Sequence, residues 1–309
     1  MSKRNVILYG NCQMKTLAYM LIGNPKFNEK FNLVGFKNSR PYWYLMTLKK
    51  YHAESLKNSV QNCDFFIHQS ISENYSGPQF SSDYLKQHTN GRNVWCFNYF
   101  FRGYTPCYLT SEPIANLKNE KVTKKEHKIR AMLFYLFSTG KSPEEAKYWL
   151  ETENSQETTD FTLKVAKDDI AELKRRQTEQ VNLGNEIIGM SDVIETWQEN
   201  QLSLSYNHPT MHYYWIMCRR LLRTLEVEVD DDETWRWRKK YFPTNADHFI
   251  FEFVRKMCPT ISWPETMATL SDSNWSVRYI EEQFKIYDEH KEDLITAYHK
   301  HKIQKFFPL

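Results

Sequence analysis

No stretch of this 309-residue chain approaches the ~18 consecutive apolar residues that cross a bilayer, and the mean hydropathy of −0.68 agrees. Charge of one sign is equally scarce. The 41 Lys and Arg face 38 Asp and Glu, a net charge of +3 that rules out a polyanion-driven binder, so nucleic acid is not an expected partner. The six cysteines (Cys12, Cys63, Cys96, Cys107, Cys218, Cys258) contain no C-x-x-C pair, which argues against a disulfide framework or a zinc site. His299 and His301 are two residues apart but have no third ligand, so no metal is expected. The glycine patterns of nucleotide sites are missing as well. No G-x-G-x-x-G follows the first apolar run, and ahead of Gly140-Lys141-Ser142 the place of the required P-loop glycine is taken by Tyr135. No internal repeat is present.

What the chain does have is apolar and aromatic mass: 41% hydrophobic residues and 15% aromatic ones, including 19 Tyr, 19 Phe and 9 Trp. A chain of this length and composition buries a core without cross-links, and its rings suit both packing and the holding of sugars or bases. Met1-Ser2-Lys3-Arg4 is basic like a signal peptide, but Val6-Ile7-Leu8-Tyr9 is too short for a secretory core of ~7–15 residues, so a cytoplasmic protein is expected.

The pattern along the chain predicts an α/β fold with a short, mostly parallel sheet in the N-terminal part. Residues 5–9 read as a strand that breaks at Gly10, and 14–21 as a helix. Residues 31–36, 64–68 and 94–97 read as further strands, with a helix over 52–61. Strands separated by helices or long connections imply crossovers, and a ligand site beyond the strands' C-terminal ends. From about Asn116 the chain turns helical, with a basic cluster from Lys118 to Arg130, a helix opened by Ser142-Pro143-Glu144-Glu145, and a thinly striped surface helix over 161–181. Short strands are expected at Ile187-Ile188 and at Leu202 to Tyr206, on either side of a helix from Ser191. Pro209 is expected in the first turn of an amphipathic helix. The acidic run Asp230 to Glu233 marks a boundary between residues 1–229, which carry the chemistry, and a helical, aromatic-rich extension over 230–309. There Trp235, Trp237, Trp263 and Trp275 either pack a core or line a sugar platform.

Gly10-Asn11-Cys12-Gln13 is the most informative tetrapeptide. A strand that breaks at glycine and turns at once into a helix exposes its turn at the sheet edge, with helical N–H groups facing an anion or a developing oxyanion. Cys12 is there either a nucleophile with a stabilised thiolate or a small residue that lets helix and sheet approach. Asn207-His208-Pro209-Thr210 places His208 at a helix mouth, as a general base or as part of a cap. His68, followed by Gln69 and Ser70, is a third candidate at the same edge.

These motifs in this order resemble the WcbI-type polysaccharide biosynthesis proteins. Gly10 to Gln13 and Asn207 to Thr210 carry the resemblance, with His68-Gln69-Ser70-Ile71, Phe101-Arg102-Gly103-Tyr104-Thr105-Pro106 and Ser191-Asp192-Val193-Ile194 between them, over roughly residues 5–225. The resemblance implies a coenzyme A-dependent acyltransferase of surface polysaccharide synthesis, moving an acetyl group from acetyl-coenzyme A to a sugar or glycan hydroxyl. On that reading His208, Cys12 and Asn11 are the catalytic candidates, and Gly10, Gln13, His68, Gln69, Ser70 and Asn207 line the coenzyme A site. Two other readings stay open. One is an esterase of the SGNH type with Cys12 in place of serine, although no Asp-x-x-His supplies the rest of such a site, since Asp288 and His290 are one residue too close. The other is a non-catalytic nucleotide- or glycan-binding module.

Overall fold

The computed structural model describes residues 2–35, 42–44, 48, 52–104, 130–153, 155–205, 208–229, 252–261, 277–289, 291, 292 and 295. Compactness divides the chain into two interleaved units. One comprises residues 1–100, 170–196 and 208–244, the other 101–169, 197–207 and 245–309.

The first unit is built on the expected parallel sheet. Strand β1 (Arg4–Gly10) is buried from Val6 to Gly10 on both faces, which is why it reads as an unbroken apolar run and not an alternating one. It leads through Asn11 into helix α1 (Cys12–Ile22), then α2 (Pro25–Lys30) and β2 (Phe31–Leu33), which is shorter than its apolar pattern suggests. The short β3 (Trp43–Tyr44) lies beside the C-terminal end of β1, pairing Tyr9 with Trp43 and Gly10 with Tyr44. Helix α3 (Ala53–Gln61) precedes β4 (Phe65–His68). The short helices α4 (Glu73–Ser76) and α5 (Ser82–Lys86) precede β5 (Arg92–Cys96).

All pairings are parallel, in the order β2-β1-β4-β5-β6, with β6 at Glu186–Ile188 and β3 also on β1. From β1 the chain first moves to one side, to β2 and β3, and then crosses to the other, to β4, β5 and β6. The reversal therefore falls between β1 and β4, beyond whose C-terminal ends ligands of such sheets bind. One layer over the sheet, under α3 and α5, contains Ile7, Tyr9, Trp43, Leu56, Val60, Phe66 and Leu85. On the other side Cys96 meets Met217 of helix α10 (Met211–Thr224), which also packs on α1 and β6.

In the second unit α6 (Arg130–Ser138), α7 (Pro143–Thr152) and α12 (Val277–Glu289) pack together. Phe134 and Tyr287 meet at 5.6 Å, and Phe137 and Phe284 at 5.3 Å. Ser142 opens α7 with a complete capping box to Glu145, as its sequence predicts. The 27-residue helix α8 (Gln156–Asn182) has Leu173 buried and Val181 exposed, in keeping with a thin apolar stripe. The remaining described elements are α9 (Ser191–Glu195), β7 (Ser203–Ser205), β8 (His208–Pro209) and α11 (Glu252–Met257). The basic cluster before Arg130, the acidic run at 230–233, the four tryptophans named above, His299 and His301 lie outside the described residues.

One local expectation is corrected. Pro209 does not begin a helix, because it lies in β8. The helix begins at Met211 with Thr210 as its N-cap, whose hydroxyl accepts from Tyr213 N at 3.4 Å. A threonine hydroxyl can satisfy an open helical N–H, and proline has no side chain able to do so.

Candidate functional site

Four side-chain amides meet where β1, β4 and β5 end. Asn11 leaves β1 in extended backbone, and its Oδ1 accepts from Gln13 N at 2.9 Å, which starts α1 immediately. Asn11 N donates to Gln69 Oε1 at 2.9 Å, and Asn11 Nδ2 to Asn98 Oδ1 at 2.9 Å. Gln69 Nε2 donates to Gln13 Oε1 at 3.2 Å and to Asn98 Oδ1 at 3.4 Å. Gln13 pairs with the main chain of Tyr99 twice: its Nε2 donates to Tyr99 O at 2.8 Å and its Oε1 accepts from Tyr99 N at 3.0 Å. The turn holding Cys12 is thus fastened to the ends of two neighbouring strands.

Gly10 is required because of this closeness. A Cβ there would collide with Gln69 Oε1 and come within 2.7 Å of Met14 Cγ. Below the turn, Ser82 Oγ donates to Gln69 O at 2.5 Å and accepts from Ile71 N at 2.8 Å. Ser70 is exposed, and its hydroxyl accepts from Trp95 Nε1 at 2.8 Å.

Among the sequence candidates, Gly10, Asn11, Cys12, Gln13 and Gln69 come together in this way, and Ser70 stands at the rim. Their roles differ from the simplest expectation. Gln13 and Gln69 are buried and their amides already bonded, so they shape the site from beneath. The backbone N–H of Gln13, expected to receive an oxyanion, is taken by Asn11 Oδ1. His68 turns into the layer beneath α3 and α5, stacked on Phe66 at 4.8 Å and 1% exposed. Residues two apart on a strand share a face, and this one is closed. Burial lowers the His68 pKa to about 4, so the ring is neutral near pH 7 and supplies no positive charge to a phosphate. Its Nδ1 lies 3.2 Å from Gln69 O, and among the described residues its Nε2 has no hydrogen-bond partner.

Cys12 is half-buried. Desolvation raises its thiol pKa, outweighing the lowering by the backbone N–H groups of Cys12 and Gln13 and by Lys15. A helix N-terminus alone therefore does not produce a thiolate here. The other described cysteines, Cys63, Cys96, Cys218 and Cys258, are buried. His208 is exposed on β8, three residues before α10 begins at Met211. The first turn of α10 packs close to the amide cluster: the Tyr213 ring meets Tyr99 edge-on at 4.8 Å, and Tyr214 is buried, its hydroxyl influenced by Thr16 and Cys12. Asn207 lies outside the described residues.

Sequence reasoning did not single out Asn98, Tyr99, Tyr213 or Tyr214. For Asn98 a signal existed, since it stands two residues beyond β5 just as Asn11 and Gln69 each stand one residue beyond β1 and β4.

Phe101-Arg102-Gly103-Tyr104 is structural. Asp169 grips Arg102 through its backbone N at 2.7 Å, its Nε at 3.1 Å and its Nη2 at 2.6 Å, while Tyr104 Oη donates to the carbonyls of Trp197 at 2.5 Å and Asn200 at 2.7 Å. In the first unit Asp192 is paired with Arg220 at 2.5 Å, which lowers its pKa.

An open depression of about 540 Å³ lies at the N-terminal end of β1, away from the turn, lined by Asn5, Val34, Ser55, Asn58, Ser59 and Asn62. None of these side chains titrates, so it offers no acid, base or nucleophile. Among the described residues no His, Cys, Asp and Glu cluster could hold a metal, and no helix is long and apolar enough to cross a membrane.

The family model described as "polysaccharide biosynthesis enzyme WcbI" matches residues 5–230. No curated protein matches the chain. A solved structure described as WcbI, a novel polysaccharide biosynthesis enzyme, in its native form without a disulfide bond between coenzyme A and one of its cysteines, shares the fold. The TM-score is 0.73 at 18% identity, with 99% of this chain and 97% of that one covered.

Proposed function

This chain belongs to the WcbI family of polysaccharide biosynthesis enzymes, and from that membership we propose that it transfers an acyl group, acetyl first among them, from coenzyme A to a hydroxyl of a sugar or glycan intermediate. The observation carrying the proposal is the turn at Cys12, a half-exposed thiol at the sheet's switch point, locked by amides and bordered by hydrogen-bond donors. That the WcbI structure is the form without a disulfide between coenzyme A and a cysteine supports a cofactor sulfur lying within reach of a cysteine. Cys12 is the described cysteine here that is not buried.

Coenzyme A supplies an activated acyl carbon as its thioester. In the proposed step the sugar oxygen bonds to that carbon while its proton passes to a base, and the carbonyl electron pair moves onto oxygen. Collapse of the adduct breaks the C–S bond, and the departing thiolate takes up the proton. His208 is the proposed base, carried on the strand that leads into α10. Asn11 Nδ2 keeps one hydrogen beyond its bond to Asn98 and is aimed at the developing oxyanion together with the backbone N–H of Cys12. Because burial keeps the Cys12 thiol protonated, direct attack by the sugar is favoured over an acyl-cysteine intermediate.

Thermal unfolding tests the first half of this reading. A ligand at about 100 times its Kd raises apparent stability by about 2.7 kcal/mol, so coenzyme A and acetyl-coenzyme A should raise Tm where unrelated nucleotides do not. Absence of any such rise ends the proposal. His208→Ala tests the second half: turnover should fall about 10²- to 10⁴-fold with coenzyme A affinity retained.

A further inference from the structure

The polarity of the amide cluster can be read without ambiguity, and it isolates one group. Carboxamide oxygen and nitrogen are hard to tell apart by shape, but a backbone N–H only donates. Tyr99 N fixes Gln13 Oε1 as an acceptor, Asn11 N does the same for Gln69 Oε1, and Gln13 N for Asn11 Oδ1. The nitrogens of Gln69 and Asn11 must therefore be the atoms that approach Asn98, and both approach its Oδ1, at 3.4 Å and 2.9 Å. The orientation of Asn98 follows by necessity: its oxygen is held inward by two donors, and its Nδ2 is left over. Among the described residues that nitrogen has no hydrogen-bond partner, and Asn98 is half-exposed at the end of β5, joined directly to the residue that precedes Cys12.

A rigid donor with two uncommitted hydrogens, oriented by bonds to its own oxygen, is the device that stabilises negative charge appearing on a carbonyl. It needs no reorganisation during the reaction. We propose that Asn98 Nδ2 donates to the acyl carbonyl oxygen of the bound thioester and is the principal side-chain stabiliser of the tetrahedral oxyanion, with Gln13 and Gln69 as the positioning residues that fix its polarity. The inference rests on the acyl-transfer reading above and deepens it. It also gives a reason for burying Gln13 and Gln69, whose amides reach no ligand themselves.

Asn98→Asp is the informative substitution, because the carboxylate still accepts from Asn11 and Gln69 while both outward hydrogens are lost. Asn98→Ala serves as the uncharged check, and the melting curve of each variant establishes that it is folded. Free coenzyme A has no acyl carbonyl, so its affinity should change less than about threefold by calorimetry in both variants, whereas turnover with acetyl-coenzyme A should fall about 10²- to 10³-fold. Turnover in either folded variant within about threefold of wild type overturns the assignment and leaves acyl transfer standing. Loss of coenzyme A affinity as large as the loss of turnover also overturns it, since Asn98 would then be a ground-state contact. Wild-type protein that binds coenzyme A yet transfers no acyl group overturns both readings.

Discussion

Gly10→Ala should be the most damaging single-methyl addition at the candidate site, because a new Cβ would occupy the space of a carboxamide that three other groups depend on. The backbone of Gly10 is not in the left-handed region, so conformational strain adds nothing and the cost is steric. The methyl would collide with Gln69 Oε1 and press on Met14 Cγ at 2.7 Å, in a place where Gln69 cannot retreat without releasing Asn11 N and Gln13 Oε1. Overpacking of this kind costs about 1–3 kcal/mol, and a buried N–H left without its acceptor about 1–3 kcal/mol more. At roughly 2–4 °C per kcal/mol for a chain of this order of size, a combined cost of about 2–6 kcal/mol should lower Tm in differential scanning calorimetry by at least about 4 °C, and by about 12 °C at the middle of both ranges. The cause can be separated from a general loss of packing with a double-mutant cycle. In a Gln69→Ala background the main obstacle is gone, and Gly10→Ala should cost at least about 1 kcal/mol less than in wild type. A Tm within about 1 °C of wild type, or strictly additive losses in the cycle, would refute the packing argument.

Three further outcomes are expected. The neutral burial of His68 makes stability pH-dependent: the unfolded chain gains a proton near pH 6.5 and the folded one only near pH 4. Stability is therefore fully present above about pH 6.5 and declines by up to about 3 kcal/mol as pH falls to 4. Denaturant titrations of His68→Gln should lack this component, and identical pH profiles would contradict it. Alkylation of Cys12 by iodoacetamide should accelerate with pH to beyond the usual thiol range, and a rate plateau below pH 8 would show that desolvation does not dominate there. Asp169→Asn removes a charged, multiply bonded partner from Arg102, and urea unfolding should show a loss of about 1–3 kcal/mol. No change would mean that the pair is structurally idle.

Much of the first unit was legible because its signals are local. An apolar run stopped by Gly10 and an asparagine able to cap a helix specify strand, turn and helix within a dozen residues, and the capping box at Ser142 is equally self-contained. Side-chain direction was harder. Gln13, His68 and Gln69 look like site residues by position, and only the pairing of β1 with β4 and the layer of α3 and α5 reveal that they point away from solvent. Pro209 misled because proline suits both a first helical turn and a strand end, and Thr210 decided between them. Asn98 carried a positional signal, two residues past β5, but nothing along the chain gave it a role. Its significance comes from residues 29 and 87 positions away, and no window along the chain contains them together.

The pairing of Gln13 with Tyr99 has a consequence for motion. Residues 97–100 belong to no regular element, yet the Tyr99 amide is bonded to a buried carboxamide that answers it with a donor of its own, as the peptide of a neighbouring strand would. A side chain thus completes the ladder where the main chain has left it. The Tyr99 amide hydrogen should exchange with deuterium as slowly as those of β5, and the segment carrying Asn98 should behave as framework and not as a loop.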